Sequence, residues 1–299
     1  MSTARLVFDM RKEWRLVLAA TGVLCAACAA AWGSVSVTVR DTGDVWLKDS
    51  RTGKSTKFVT VKDALQSESL YTAEYRNGRV YLIKERKGGS THGGSHSYEY
   101  ELWSYDKKGH GVKLWSAPNL EFRVGGDGRM IAVLSYDPPA ADGETLRLIK
   151  PDGRLVKTYS RKDMAVTAVY FERWQGSCLW VREEDEMDIL SFIRIDTPSL
   201  HFRKYAVPPV VTAEDYDLNI KTRRLAYSNY PPMFDTDSLH DFEKTKTAVE
   251  LRVYSLETKR EQLIAKSVAK SFEPKWVNST ILAFNNPKGK GRIRQHISL

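Results

Sequence analysis

Cysteine is scarce in this chain, and the common catalytic signatures are missing. Of three cysteines in 299 residues, Cys25 and Cys28 fall inside one long uncharged apolar run. Past that run Cys178 stands alone, so no disulfide framework is available to hold the fold. It reads as a small buried hydrophobe within Ser177-Cys178-Leu179-Trp180-Val181. There is no G-x-S-x-G nucleophile elbow; Gly93-Gly94-Ser95-His96-Ser97 comes nearest and ends in serine. There is no H-E-x-x-H zinc motif. Gly53-Lys54-Ser55 has the ending of a phosphate-binding P-loop, but Lys48 occupies the place of its first glycine, and a hairpin turn is the plain reading. These absences exclude a disulfide-stapled scaffold, a zincin and a P-loop nucleotidase, and no cofactor is expected.

What the chain does have is a basic start followed by Leu16 to Ala31, sixteen residues without a charge. At about 1.5 Å per residue this run reaches roughly 24 Å, short of a hydrocarbon core of about 30 Å. A targeting segment over residues 1–33 is therefore expected, with export of residues 34–299. Three fates stay open: cleavage near Ala29-Ala30-Ala31, retention as an anchor with Trp32 at the interface, and lipidation at Cys28. The Cys25–Cys28 spacing matches a redox or zinc pair, but an apolar export segment supplies no further ligands. The net charge is +9, a mild bias that is compatible with anionic partners and identifies none.

The remainder, residues 34–299, reads as strands in series. Gly125 to Ser160 shows the unit: a Gly-Asp-Gly turn, the apolar run Met130 to Leu134, a Pro-rich loop, and two strands joined by Pro151-Asp152-Gly153. A continuous apolar run marks a strand covered on both faces, whereas Leu146 and Leu148 around Arg147 alternate. Pro-Asp-Gly and Asn77-Gly78 supply turn chemistry, the latter the strongest short hairpin signal. Inner hairpins begin near residues 70, 120, 166, 212 and 272, a spacing close to fifty. Val61 to Ser69 is expected as a short helical connector. The fold predicted is an all-β single propeller of four-stranded antiparallel blades, five or six in number from about twenty-two strands. Its N-terminal strands look like the complement of the unfinished last unit, since ring closure removes free sheet edges.

The units resemble the TolB-type and dipeptidyl-peptidase-type, WD40-like propeller repeats of exported bacterial proteins. Glu273-Pro274-Lys275-Trp276 with Ile281-Leu282-Ala283-Phe284 is similar to one such blade. So are Asp127 to Val133 and Thr222 to Ser228, and Val45 to Lys54 looks like an outer strand pair. The resemblance implies a fold class and an export habit, and it carries no catalytic residues.

Candidate sites come from the connections. The long ones, Glu85 to Ser97, Tyr136 to Glu144, Glu183 to Asp188 and Asn229 to Ala248, all join second and third strands, so they gather on one rim. Tyr230, Met233 and Phe234, beside Pro231 and Pro232, are the expected apolar anchors for a protein partner, with Asp235 and Asp237 next to them. Weak calcium binding is not excluded at this acidic stretch or at Glu183 to Asp188, which is otherwise a solvated charge run. His92 and His96 sit in a Gly/Ser loop and lack further ligands. Lys288 to Arg294 guards a turn and an edge strand and is not a nucleic-acid patch. The expectation is an exported, non-enzymatic binding module for an envelope or extracellular protein. The alternative is a propeller hydrolase or lyase acting on glycan or peptide, with carboxylates from several blades meeting at a central channel. A third reading is a sensor ectodomain held by an uncleaved N-terminal segment.

Overall fold

The apolar runs become strands where a middle strand, such as the second strand of a sheet, finds cover on both faces. In the computed structural model residues 35–40, 42–62, 64, 73–90, 96–136, 144–159, 168–185, 188–230, 242 and 244–299 are described. They hold twenty-two strands in six sheets. β1 (Val35–Val39), β2 (Asp44–Asp49) and β3 (Ser55–Thr60) form a sheet of three. β4 (Ala73–Arg76), β5 (Arg79–Ser90), β6 (His96–Tyr105) and β7 (Gly111–Ala117) form the first sheet of four. The next holds β8 (Asn119–Val124), β9 (Ile131–Tyr136), β10 (Glu144–Ile149) and β11 (Leu155–Tyr159).

β12 (Ala168–Gln175), β13 (Cys178–Asp185), β14 (Asp188–Asp196) and β15 (His201–Ala206) follow. Then come β16 (Tyr216–Asn219), β17 (Arg224–Ser228), β18 (Ala248–Ser255) and β19 (Glu261–Val268). β20 (Lys275–Trp276), β21 (Ile281–Asn285) and β22 (Arg292–His296) close the series as a second sheet of three. Every sheet is a meander in chain order; among the described residues four have the four strands of the predicted unit and two have three. Ala64 bridges Lys84 in strand fashion; the rest of the expected helical connector, from residue 65, lies outside the described residues.

The chain divides into two compact units, residues 1–138 with 147–156, and residues 139–146 with 157–299. In the first, β5 shows why an unbroken apolar run was needed. Val80 and Leu82 pack with Val39, Val45 and Ala73, while Tyr81 and Ile83 pack with Phe122, Ile131 and Val133. In the second, β17 divides its side chains likewise. Leu225 and Tyr227 join Trp180, Phe192 and Tyr205, and Ala226 joins Leu251, Phe272 and Phe284. At about 25 cal/mol per Å² of apolar area, this two-sided burial is the main favourable term.

The turns follow the residues that were read for them. Asn77 and Gly78 both have positive φ, 49° and 76°, as a two-residue hairpin of this hand requires. Gly153, at φ 85°, also lies against β7: a Cβ there would sit 3.0 Å from the Leu114 carbonyl oxygen. Three wider turns share another geometry. The fifth residue donates its N–H to the carbonyl of the first, at 2.8 Å in Asp49–Gly53, Asp196–Leu200 and Ser255–Lys259. That fifth residue has positive φ each time, 66° at Gly53, 60° at Leu200 and 57° at Lys259.

An L side chain in this region costs about 1–2 kcal/mol, and only Gly53 avoids it. Lys259 is exposed, so nothing in packing repays the strain. Lys259→Gly is expected to stabilise the protein by about 1 kcal/mol and raise the melting temperature by roughly 2–4 °C. Gly53→Lys should lower it by a similar amount. Calorimetry of the two variants beside wild type checks both signs.

Candidate functional site

The first strands β4, β12 and β16 each carry an acid beside apolar or aromatic neighbours, and these acids reach the following first strand. In the first unit Glu74 of β4 accepts the Val124 N–H of β8 at 3.2 Å and faces Arg123 Nη1 at 3.4 Å. In the second unit Asp217 of β16 accepts the Trp276 N–H of β20 at 2.7 Å. The Trp276 indole N–H returns to the Asp217 carbonyl at 3.2 Å, and Arg173 Nη2 lies 3.6 Å from the carboxylate. Asp215, just before β16, accepts four donors: the N–H groups of Phe272 and Glu273 at 2.9 and 2.6 Å and the hydroxyls of Ser228 and Ser271. Burial pushes the carboxyls of Glu74, Asp215 and Asp217 above their ordinary range, against the donors that surround them.

The densest group of ionisable side chains lies between β12, β13 and β16. Glu172 Oε1 accepts Arg182 Nη1 at 3.0 Å and also accepts the Tyr216 hydroxyl. Arg182 Nε is bonded to Glu184, and the guanidinium lies 4.8 Å from the Tyr170 ring centre and 5.8 Å from that of Tyr216. Burial pushes the Tyr216 phenol well above its ordinary value. Burial alone would lower Arg182, but Tyr216, Glu172 and Glu184 outweigh it and hold the guanidinium well above its usual value. The cluster is one fixed cation between two carboxylates and a neutral phenol. Its donors and acceptors face one another.

This arrangement overturns the reading of Glu183 to Asp188 as a solvated run. β13 continues through Asp185, and Glu183 and Glu184 are 0% and 5% exposed. Glu183 accepts the Ser191 hydroxyl and pairs with Lys204, while Glu184 pairs with Arg182. A register shift between Glu183 and Glu184 lets two consecutive acids both turn inward. The connection is therefore two residues long, not six. Strands likewise shorten the connection after β5 to five residues, and the Tyr136 to Glu144 connection spans 137–143. The stretch from Asn229 to Thr247 stays long.

Of the expected anchors, Tyr230 alone is described; Met233, Phe234, Asp235 and Asp237 lie outside the described residues. Tyr230 is half-buried, with its ring edge-on to Phe242 at 5.3 Å, and both pack on the Ala226, Leu251 and Phe272 cluster. The base of this connection is well tied. Asn229 Oδ1 accepts the Glu250 N–H at 2.7 Å, Ser228 Oγ accepts the Tyr230 N–H at 3.1 Å, and Thr212 donates to the Tyr230 carbonyl at 3.2 Å. Cys178 is half-buried, and Arg194 Nη2 reaches its sulfur at 3.1 Å. Among the described residues no group of three or more His, Cys, Asp or Glu is placed to hold a metal ion. The side chains of His92 and His96 lie outside them.

The acids that organise the first strands were missed in the sequence, although a signal was present. Ala73-Glu74-Tyr75, Phe171-Glu172-Arg173 and Tyr216-Asp217-Leu218 each place one carboxylate inside a short apolar or aromatic strand. A charge there has to be paired or hydrogen-bonded once buried.

No family model matches the chain, and no curated protein matches it in sequence. Solved structures do. An oligogalacturonate lyase in complex with manganese is 14% identical, over 87% of this chain and 73% of that one, with a TM-score of 0.52. The oligogalacturonate lyase of Vibrio parahaemolyticus is 13% identical over the same shares, with a TM-score of 0.54. The β-propeller domain of the trilobed protease from Pyrococcus furiosus is 10% identical over 85% of this chain and 74% of that one, at 0.48. The chain is a β-propeller protein. At these identities the likeness is one of fold.

Glu184 gives a test of the buried cluster. Burial raises its carboxyl above the ordinary 4.5, and Arg182 opposes that only in part. A carboxyl raised in the folded state binds its proton more tightly there than in the unfolded chain, so stability falls as pH rises from 4.5 through the folded value. Relative to Glu184→Gln, wild type is expected to gain stability as pH is lowered from about 7 toward 4.5. Guanidinium denaturation of both proteins across that range measures the difference. A constant difference would mean that Glu184 titrates alike in both states.

Proposed function

We propose that this chain is an exported, non-enzymatic propeller that recognises an envelope or extracellular protein through the connection between β17 and β18. The observation that carries the reading is how its buried acids are used. Glu74, Glu172, Asp215 and Asp217 are bound to backbone amides, hydroxyls or guanidinium groups of neighbouring strands. A general acid or base has to present its proton-transfer atom to a substrate. These groups present theirs to the fold. Recognition then falls to a loop on a fixed base, and Asn229, Tyr230 and Thr212 provide that base for residues 231–241. Export rests on the basic start and the uncharged run Leu16 to Ala31. No helix among the described residues is long and apolar enough to cross a membrane, and that run lies outside them.

The second reading, a hydrolase or lyase on glycan or peptide, draws on the Glu172, Arg182, Glu184 and Tyr216 cluster. An oligogalacturonide is the first substrate to try, because two of the similar folds are named for that activity.

Tyr230 and the loop beyond it are expected to behave differently. Tyr230→Ala removes a half-buried ring from the core and should cost about 2 kcal/mol of stability. Replacing 231–241 by a Gly/Ser segment of equal length should leave the melting temperature within about 2 °C. A photo-crosslinker at position 234 in intact cells should give one reproducible adduct, and the same group at Lys107 should not. Equal labelling from both positions would defeat the loop assignment. Turnover of an oligogalacturonide or peptide that survives loop replacement would defeat the non-enzymatic reading.

A further inference from the structure

The first sheet of four carries a charged groove separate from the β17–β18 connection. Its lining residues are Lys84, Glu85 and Arg86 on β5, Glu101 and Trp103 on β6, and Lys113 on β7. Register explains the grouping. Lys84 stands opposite Glu101, and Trp103 stands opposite Lys113 across a bulge. Residues two apart on a strand share a face, which brings Arg86 alongside Lys84 and turns Glu85 the other way.

Glu101 lies at the centre, its side chain 8% exposed. It accepts the Trp103 indole N–H at 2.9 Å and Lys113 Nζ at 3.2 Å, with Arg86 Nη1 at 3.7 Å. Burial opposes its charge, yet these hydrogen bonds outweigh burial and keep the carboxyl below its ordinary range. This one carboxylate thus faces two cations. Arg86 and Lys113 remain 69% and 46% exposed. Lys84 is placed differently: its ammonium sits 5.2 Å from the centre of the Trp103 ring, and no described carboxylate pairs with it. An ammonium held by a π face still has N–H donors turned away from the ring for another acceptor.

We propose that this groove binds an oxyanion, the sulfate, phosphate or carboxylate group of a free anion or an acidic sugar, with Lys84, Arg86 and Lys113 as its donors. Glu99 stands opposite Arg86 on the same face, so three cations meet two carboxylates and the one positive charge left sets the sign of the ligand. Its shape is limited by Trp103, whose ring lies 5.9 Å from Tyr105 at 21° and also carries Lys84. A compact charged group fits beside this pair, whereas a ligand ring stacked on the indole would have to displace Lys84 or Tyr105. This groove shares no residue with the β17–β18 connection or with the buried acids of the first strands.

Calorimetric titration of the full chain at fixed ionic strength tests the assignment, with inorganic sulfate and a sulfated disaccharide as the probes. Lys84→Gln should weaken binding about tenfold, the loss of one charge-assisted hydrogen bond. Lys84→Arg should restore most of it. Glu101→Gln should bind more tightly, because the buried negative charge at the centre of the groove is gone. Lys107→Gln, on the turn beyond β6, should match wild type. Saturable binding of both probes with this pattern supports a site for the bare group. Binding of the disaccharide alone with this pattern supports a site that needs the sugar. No binding of either probe, an unaffected Lys84→Gln, or an equal loss in Lys107→Gln would overturn the proposal. Lys84 is half-buried over Trp103, so circular dichroism spectra and melting temperatures of its variants are compared with wild type, and a match is expected.

Discussion

A buried carboxylate that closes on the backbone amide of the next first strand is the interaction on which the packing of successive sheets depends. Sheets stacked only by apolar contact can slide, because the hydrophobic effect has no direction. Asp217 bonded to the Trp276 amide, and Glu74 bonded to that of Val124, each fix one register between neighbours. A hydrogen bond to a charged group contributes about 1.5–3 kcal/mol net, while deleting one partner of a buried pair costs about 3–5 kcal/mol. The asymmetry makes these residues more important for a single arrangement than for total stability. Asp215 shows how far it goes, since four donors converge on one carboxylate.

The outer strands use another device for the same end. Tyr159 of β11 donates its hydroxyl to the Leu200 carbonyl at 2.9 Å, and Tyr205 of β15 donates to Glu257 at 3.2 Å. Both acceptors belong to the turn between the third and fourth strands of the following sheet. Both rings are buried, so each tyrosine supplies apolar area and a directed bond together. Leu200 keeps its unfavourable positive φ in a turn that this bond holds. Lys259 occupies the same position in its own turn without such a contact through its own carbonyl. The strain there is a local cost that the rest of the sheet absorbs.

Much of this was legible from residues alone. Asn77-Gly78 fixed a hairpin, Pro151-Asp152-Gly153 fixed another, and the unbroken run Met130 to Leu134 marked a strand covered on both faces. These signals are local, and the backbone answers to them locally. The role of the Glu183 and Glu184 pair was not legible, because two consecutive acids turn inward only where a bulge breaks the alternation and Ser191, Lys204 and Arg182 wait on other strands. The same holds for Glu172, whose partners are ten and forty-four positions away. Composition shows that a charge is present, and only pairing shows whether it faces water.

That distinction bears on where chemistry resides in this molecule. An acid fixed by two or more donors has little freedom to exchange partners with a passing ligand, since each bond lost leaves a buried group unpaired. The groove around Glu101 differs in one respect: its carboxylate is satisfied, but the cations around it outnumber it and stay in contact with water. An anion bound there, as proposed, would add a partner to Lys84 and to the exposed ends of Arg86 and Lys113 without breaking a bond of the first strands. On the proposed reading the first strands hold the stack, and recognition is left to sheet faces and connections, where excess charge or exposed side chains can be altered without loosening it.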